Sequence, residues 1–444
     1  MLKVAKFGGS SMADAAQIRK VCAIIRSDEA RKLIVVSAAG KRSKDDHKIT
    51  DLLYLCYAHI KYGVSCKDVF EQVKQRYLDI RDELGLTTPL EAEFDALWER
   101  MQHGIGEDEL VSRGEYFSAR LLADALGYDF IDAKLWLTFA LDGSIDEEAS
   151  YSALRRIAAN RRAVIPGFYG IAPGGRILTL TRGGSDVTGA LAAAALDADV
   201  YENWTDVSGI FMADPRIVEN PEHIDRLTYS ELRELSYIGA QVLHERAVFP
   251  VREKNIPLNI RNTNDPDHPG TMIMRDIDDS KEQSRSFITG IAGRKGYTVV
   301  TLSKTGMSST PGVLRRILEI FEKANVNVEY VPSGIDSLSL VVSSASVADC
   351  LYSLLGELER SIKPDHIKTE ADLAVVAAVR RRMAFRTLIA CSKSFSSTPT
   401  IMFSSSGPCV IMRMFTPFSP SAANILPDMP GRKAILRPTI YGGN

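Results

Sequence analysis

The feature that most constrains the fold is the run at residues 3–11 (KVAKFGGSS), which joins an apolar strand to a helix predicted over Met12–Asp28. A glycine pair at such a junction lets backbone N–H groups and the helix N-terminus face one anion, most often a phosphate. Lys6 adds a positive charge beside this loop. Taken alone, the run is equally consistent with an ordinary tight turn between a strand and a helix.

The residues that follow alternate between strand and helix patterns. Lys32–Ala38 (KLIVVSA) is typical of a buried parallel strand, and residues 50–126 carry apolar residues at helical spacing. Val164–Phe168 and Arg176–Leu180 flank Ala-Pro-Gly-Gly, which predicts a hairpin. Asp186–Leu196 is an alanine-rich helix expected to be buried. This alternation predicts a doubly wound α/β domain, which we place at residues 1–280.

A smaller domain is predicted after a polar linker at Asp276–Gln283. The pattern there is β-α-β-β-α-β, typical of a ferredoxin-like unit at residues 287–370. Its predicted strands are Tyr297–Ser303, Val326–Tyr330, Ser337–Val342 and Ala371–Val379, and its helices span about 311–324 and 346–362.

Charge and hydropathy favour a small-molecule role. A net charge of −2 gives no basic field for nucleic acid, and no apolar run reaches the roughly 18 residues that a membrane span requires. The six cysteines are scattered without metal-site spacing, so we expect reduced thiols. The first strand begins almost at Met1, so no signal peptide is expected and the cytoplasm is the predicted compartment.

Three further segments carry candidate chemistry. A second glycine loop, residues 181–186 (TRGGSD), precedes the buried helix with a cation and a carboxylate beside it. Residues 111–115 (VSRGE) interrupt a helical run, and Glu115 there suits a substrate ammonium, although most helix glutamates are simply solvated. Residues 205–216 (TDVSGIFMADPR) offer polar groups for a nucleotide, and Phe211 suits either a stacked base or the core.

Together, KFGGSS at 6–11, VSRGE at 111–115, TRGGSD at 181–186 and TDVSGIFMADPR at 205–216 resemble the aspartokinases. These are amino-acid kinases that phosphorylate the side-chain carboxylate of aspartate. Order and spacing match over about the first 275 residues. The ferredoxin-like unit likewise resembles the ACT regulatory module of this family. The resemblance therefore implies an amino-acid-kinase sheet followed by ACT modules.

The resemblance also implies a role for each matching residue. Lys6 and Asp186 would be catalytic, with Asp186 holding Lys6. Thr50, Glu115 and Arg182 would bind aspartate, Glu115 through the ammonium and Arg182 through a carboxylate. The residues implied to bind ATP are Lys6, Gly8, Gly9, Ser10, Ser185, Thr205, Asp206, Phe211, Arg216, Gln241 and Val242.

ATP is expected to bring Mg²⁺ on its own phosphates, so no protein residue is predicted as a metal ligand. The aspartate side chain, with a pKa of about 3.9, is already ionised and needs no general base. Catalysis then requires positioning and charge neutralisation. The sequence departs from the family pattern at Gln241, where many members carry a lysine, and at Thr181, where glycine is usual.

The chain ends in a segment unlike the rest. The family would place a second ACT module at residues 371–444, and Ile288–Ala292 would complete it. From 381 onward the only acidic residue is Asp428, where 56 in 444 would predict about eight, and seven of the nineteen prolines fall there. No strand pair is predicted after about 386. We therefore hypothesise a shifted reading frame from about 380–387, with a divergent native tail as the alternative.

The sequence thus predicts an ATP-dependent aspartate kinase that makes 4-phospho-L-aspartate for lysine, threonine and methionine synthesis. An end-product amino acid is expected to regulate it, with lysine as the leading candidate. The implied effector residues are Ser333, Asp336 and Ser337, and the ACT modules imply a homodimer or larger homo-oligomer. The alternatives are another amino-acid kinase and a catalytically dead amino-acid-binding regulator.

Overall fold

The computed structural model describes residues 1–181, 183–240, 245–277, 288–380, 400–403 and 409–415. Within them the chain divides into two compact units. Among the described residues, the first comprises residues 1–181, 183–210, 223–232 and 245–277, and the second comprises residues 211–222, 233–240, 288–380, 400–403 and 409–415. The domain boundaries predicted at 280, 287 and 371 stay predictions.

The secondary-structure elements are numbered in chain order. The helices are α1 Ala15–Arg26, α2 Ile49–Lys61, α3 Lys67–Leu84, α4 Leu90–His103, α5 Glu107–Val111, α6 Arg113–Leu126, α7 Glu147–Ala158, α8 Gly184–Ala195, α9 Tyr229–Ile238, α10 Glu245–Glu253, α11 Val313–Lys323, α12 Ser344–Val347 and α13 Leu351–Ile362. The strands of the first 280 residues are β1 Lys3–Phe7, β2 Arg31–Val36, β3 Asp129–Phe130, β4 Ala163–Pro166, β5 Tyr169–Ile171, β6 Ile177–Thr179, β7 Val200–Thr205, β8 Ile210–Phe211, β9 His223–Ile224, β10 Arg226–Thr228, β11 Leu258–Asn262 and β12 Thr271–Met274. The later strands are β13 Gly290–Ser303, β14 Val328–Tyr330, β15 Ser337–Ser343, β16 His366–Arg380, β17 Thr400–Phe403 and β18 Cys409–Phe415.

The first unit is built on an eight-stranded sheet of order β10-β12-β11-β7-β1-β2-β4-β3. All neighbouring pairs in it are parallel except β11 and β12. Strands β1, β2 and β4 are almost wholly buried because helices cover both faces of the sheet. The core that includes Phe7 and Val36 continues into α1 to α4 and α6. Because β1 pairs in parallel with both β2 and β7, the carboxyl ends of these three strands lie side by side at one edge of the sheet.

Two local predictions in this unit need correction. The first helix begins at Ala15 rather than Met12, because Gly9–Met12 form a 3₁₀ turn and the Asp14 carboxylate caps the helix by accepting from the Gln17 N–H at 2.8 Å. The hairpin pairs Tyr169–Ile171 with Ile177–Thr179, whereas Ala163–Pro166 joins the main sheet. The strand predicted at 164–168 is divided because Phe168 takes the left-handed φ of 78°.

The second unit contains the predicted β-α-β-β-α-β arrangement. The strands pair antiparallel in the order β14-β15-β13-β16, with α11 and α13 packed on them through residues such as Ile317 and Leu358. The strand predicted at Ile288–Ala292 and that at Tyr297–Ser303 form one continuous strand, β13. The helix predicted at 346–362 is divided into α12 and α13.

The tail provides a further correction. The prediction that no strand pair follows residue 386 is wrong, because β18 pairs antiparallel with both β16 and β17. The two segments, TIMF and CVIMRMF, are short and mostly apolar. Such runs can pair with a neighbouring strand although they lack the alternation of apolar and polar residues by which a strand is predicted. The remaining tail residues lie outside the described part of the chain, and the reading-frame hypothesis stays a prediction.

Candidate active site

Lys6 and Asp186 form an ion pair at the edge of the sheet. Lys6 lies on β1, and its Nζ is 2.6 Å from Oδ1 of Asp186, in the first turn of α8. Asn203, the register neighbour of Lys6 on β7, donates from Nδ2 to the same oxygen at 3.0 Å. Lys6 and Asn203 are both buried. One carboxylate oxygen thus fixes the lysine between two strands and a helix.

The first glycine loop turns directly beside this lysine. The Gly8 N–H donates to the Trp204 carbonyl at 2.9 Å, and Lys6 Nζ lies 3.6 Å from where a Cβ on Gly8 would stand. The Gly40 N–H donates to the Gly9 carbonyl at 2.8 Å. A Cβ on Gly40 would come within 2.6 Å of the Gly9 carbonyl group, so this approach requires glycine. Gly8 therefore borders the ammonium of Lys6, and the phosphate-binding role of Gly8, Gly9 and Ser10 stays a prediction.

The second glycine loop approaches the end of β2. Ser185 Oγ is 2.7 Å from Ser37 Oγ, the first residue after β2. Because Ser185 precedes Asp186 in the same helical turn, this contact brings α8 and β2 together beside the lysine. Arg182 lies outside the described residues.

Glu115 is buried against the same strand end. The helical run is interrupted at Ser112, between α5 and α6, and Glu115 follows in the first turn of α6. The Ala38 N–H donates to its carboxylate, and a Cβ on Gly114 would lie 2.7 Å from the Ala38 Cβ. Glu115 Oε2 has no hydrogen-bond partner among the described residues. A buried acceptor without a donor suits a cation supplied by a ligand.

Burial raises the pKa of Glu115 to about 8 from 4.5, against the lowering effect of the Ala38 N–H and of the charges on Arg113 and Lys6. The carboxyl group is therefore mostly protonated at neutral pH in the absence of a ligand. Thr50 lies in the first turn of α2, and the N–H of Ile49, the first residue of that helix, donates to the Ala39 carbonyl at 3.1 Å.

The predicted nucleotide residues are distributed over the two units. Thr205 ends β7, next to β1, and its hydroxyl donates to Asp206 Oδ1 at 3.2 Å. Phe211 and Arg216 belong to the second unit, where Arg216 Nη2 is 2.6 Å from Asp214 Oδ2. That hydrogen-bonded arginine lowers the pKa of Asp214. Gln241 and Val242 lie outside the described residues.

Of the predicted effector residues, Ser333 and Asp336 lie in the connection between β14 and β15, and Ser337 is the first residue of β15. Asp336 Oδ1 accepts from the Gly306 N–H at 2.8 Å, and the Asp336 carbonyl accepts from the Lys304 N–H at 2.9 Å. The Gly334 N–H donates to the Ser337 carbonyl at 2.7 Å, and Ser333 bridges to Leu338. These bonds join two loops of the second unit.

Sequence reasoning missed Ser37, Gly40 and Asn203. Two signals for them were present. Ser37 and Gly40 follow a buried parallel strand, and binding sites in α/β sheets form at the ends of such strands. Asn203 is a polar residue within a buried strand, where polar side chains are uncommon. Among the described residues, no group of three or more His, Cys, Asp or Glu is placed to hold a metal ion. No described helix is long and apolar enough to cross a membrane.

The family model for the amino acid kinase family matches residues 1–262, more than half of the chain, so fold and edge site together are those of an amino-acid kinase. Aspartokinase 3 of Bacillus subtilis (strain 168) is 35% identical over 398 residues, covering 86% of this chain and 87% of that one. The lysine-sensitive aspartokinase 3 of Escherichia coli (strain K12) is 30% identical over 409 residues, covering 85% and 86%. Plant relatives that are 28–30% identical are described as chloroplastic.

Solved structures agree. The aspartate kinase of Clostridium acetobutylicum superposes with a TM-score of 0.83 at 42% identity, covering 93% of this chain and 95% of that one. Aspartokinase III of E. coli, in complex with lysine and aspartate, superposes with a TM-score of 0.69 at 26% identity, covering 93% and 95%. The chain belongs to the aspartokinase family and is an aspartate kinase with allosteric regulation. The predicted kinase sheet and ACT-type antiparallel sheet are confirmed.

Proposed function

We propose that the enzyme transfers the γ-phosphoryl group of ATP to the side-chain carboxylate of L-aspartate, forming 4-phospho-L-aspartate and ADP. In this step the bond from the γ-phosphorus to the ADP oxygen breaks and a bond from phosphorus to a carboxylate oxygen forms. The product is an acyl phosphate, and the step opens lysine, threonine and methionine synthesis in the cytoplasm. The observation that carries the proposal is the fixed Lys6–Asp186 pair, whose lysine charge acts on the buried carboxyl group of Glu115. The Oε2 atom of that carboxyl group has no hydrogen-bond partner among the described residues.

Each side of the reaction has its own residues in this proposal. Glu115 takes the α-ammonium of aspartate, because its buried Oε2 has no donor among the described residues and the substrate would supply one. Arg182 takes a substrate carboxylate through a bidentate pair, and Thr50 gives a further contact. Lys6 neutralises charge on the transferred phosphoryl group, while the N–H groups of the first glycine loop stabilise the phosphates.

The remaining nucleotide contacts are proposed from the motifs. The residues concerned are Ser185, Thr205, Asp206, Phe211, Arg216, Gln241 and Val242. Mg²⁺, carried on the phosphates of ATP, would supply charge neutralisation when bound. A complex of the E. coli relative with aspartate and ADP supports the substrate pair. Gln241 brings a hydrogen bond without a charge, so Lys6 is the main cation in this scheme.

The test is ATP turnover with L-aspartate, with hydroxylamine added to trap the acyl phosphate as a hydroxamate. Lys6→Ala is expected to lower kcat by at least about 100-fold because charge stabilisation of the transition state is lost. Lys32→Ala, which removes an exposed lysine on β2, is the matched control and should leave the rate unchanged. Wild-type turnover that survives Lys6→Ala would contradict the proposed role of Lys6.

We further propose lysine as the inhibitor, bound near Ser333, Asp336 and Ser337, and a homodimer or larger assembly formed through the ACT modules. Support for the ligand comes from the lysine-sensitive relative and from the relative solved with lysine. Asp336→Ala removes the acceptor of the Gly306 N–H and should raise the lysine concentration for half-inhibition at least about fivefold. Inhibition by threonine alone would refute the assignment, and light scattering measures the assembly.

A further inference from the structure

Helix α3 contributes no residue to the motif segments, yet two consecutive residues on it bond the backbone beside the site. Arg76 Nη1 donates to the Gly40 carbonyl at 3.1 Å. The Tyr77 hydroxyl accepts from the Ala39 N–H at 3.4 Å and donates to the Gly114 carbonyl at 2.6 Å. Tyr77 is fully buried and Arg76 is 5% exposed. Neither side chain is therefore a surface group that contacts the loop by chance.

The backbone that they hold, Ser37–Gly40, contacts both halves of the proposed site. On one side the Gly40 N–H donates to the carbonyl of Gly9 in the phosphate loop. On the other side the Ala38 N–H donates to the carboxylate of Glu115. A shift of this segment would therefore move the phosphate loop and the carboxylate relative to each other. Transfer rates depend steeply on such alignment.

Arg76 is itself fixed from outside the site. Its Nη2 donates to Asp46 Oδ1 at 2.7 Å, and Arg42 donates to the other oxygen of Asp46 from its backbone N–H at 2.9 Å and its Nε at 3.0 Å. Burial alone would raise the pKa of Asp46, but the bonds from Arg42 and the charge of Arg76 hold it well below its usual range. Asp46 therefore stays ionised. The planar guanidinium bonds Gly40 and Asp46 through two different nitrogens, whereas a lysine ammonium has a single nitrogen and is less suited to holding both partners.

We propose that Arg76 and Tyr77 are positioning residues for phosphoryl transfer. Tyr77 sets the position of Glu115 through the Gly114 carbonyl and the Ala39 N–H, and so controls aspartate affinity. Arg76 sets the position of Gly40 against Gly9, and so controls the phosphate side. This inference rests on the proposed roles of Glu115 and of the first glycine loop.

The test is steady-state kinetics of Tyr77→Phe and Arg76→Lys. Tyr77→Phe removes the hydroxyl that bonds the Ala39 N–H and the Gly114 carbonyl, and should raise the KM for aspartate about tenfold, with the KM for ATP within about twofold. Arg76→Lys should lower kcat about tenfold and raise the KM for ATP instead. This split between substrates is a readout that a loss of stability alone would not produce.

Matched controls are available. Tyr151→Phe removes a hydroxyl that donates to Glu147 on α7, and Arg81→Lys alters another ion-paired arginine of α3. Both should keep wild-type kinetic constants. Asp46→Asn weakens the bond that holds Arg76 without altering the core. It should change kcat and the KM for ATP in the same directions as Arg76→Lys, so the test remains decisive even if a core variant does not fold.

Two outcomes separate this inference from the proposed role of Glu115. If Tyr77→Phe, Arg76→Lys and Asp46→Asn melt at lower temperature but keep wild-type kcat and KM values, the positioning inference is overturned. If Tyr77→Phe raises the KM for aspartate while Glu115→Gln does not, the segment is a positioning element and the ammonium contact of Glu115 is wrong.

Discussion

Replacing Glu115 by glutamine should stabilise the folded protein while removing its affinity for aspartate. The carboxyl group titrates at about 8 in the folded protein and near 4.5 when exposed. Between these values the unfolded chain binds fewer protons than the folded one, so the free energy of unfolding falls as pH rises from 4.5 to about 8. At about 1.4 kcal/mol for each pH unit, the loss reaches about 5 kcal/mol above pH 8 and about 3 kcal/mol at pH 7.

Glu115→Gln has nearly the same shape as the protonated acid and cannot titrate. Its free energy of unfolding should therefore match that of the wild type near pH 4.5 and exceed it by a growing amount up to pH 8. Urea unfolding at a series of pH values measures the difference. Glu29→Gln, at an exposed residue, is the control and should give a constant offset. Parallel stability curves for Glu115→Gln and the wild type would refute the reasoning.

The same carboxyl group should link aspartate binding to proton release. A substrate ammonium favours the ionised carboxylate, so binding at pH 7 should release close to one proton and tighten as pH rises towards 8. Isothermal titration calorimetry in two buffers of different ionisation enthalpy counts the protons. Glu115→Gln should release none and should bind aspartate at least about 100-fold more weakly. Proton uptake, or tight binding by the variant, would contradict the ammonium role.

Three other changes test the rest of the site. Asn203→Ala removes the amide donor to Asp186 and should lower kcat about 10- to 100-fold, with the KM for aspartate within about twofold. Tyr201→Phe is the control, because the Tyr201 hydroxyl donates to the Asp186 carbonyl and not to its carboxylate. An equal loss of kcat in Tyr201→Phe would argue against positioning through the Asp186 side chain. Gly40→Ala places a Cβ within 2.6 Å of Gly9 and should destabilise by about 1–3 kcal/mol in urea unfolding, whereas Gly356→Ala, in open space, should not. Arg182→Ala should mainly raise the KM for aspartate in the hydroxamate assay, and an unchanged KM would refute that assignment.

Much of the site was predictable because its chemistry lies in short contiguous segments. Lys6 with the glycine pair, and the interruption that leads to Glu115, are set by residues within a few positions of one another. The buried helix that begins near Asp186 could likewise be predicted, because small apolar side chains leave it no solvent face. The roles of all these site residues, with Arg182, Gln241 and Val242 among them, stay predictions drawn from motifs.

The sequence by itself determined the two-part architecture, the glycine loops and the residue types that we propose to face the substrates, since these follow from local periodicity, turn chemistry and short motifs. Only the tertiary structure decided which side chains hold them in place. Ser37 meets Ser185, Tyr77 meets Gly114 and Asn203 meets Asp186 across long stretches of chain, and no local pattern encodes such contacts. The burial that moves the pKa of Glu115 arises in the same way, because only packing of distant segments removes the water around that carboxyl group.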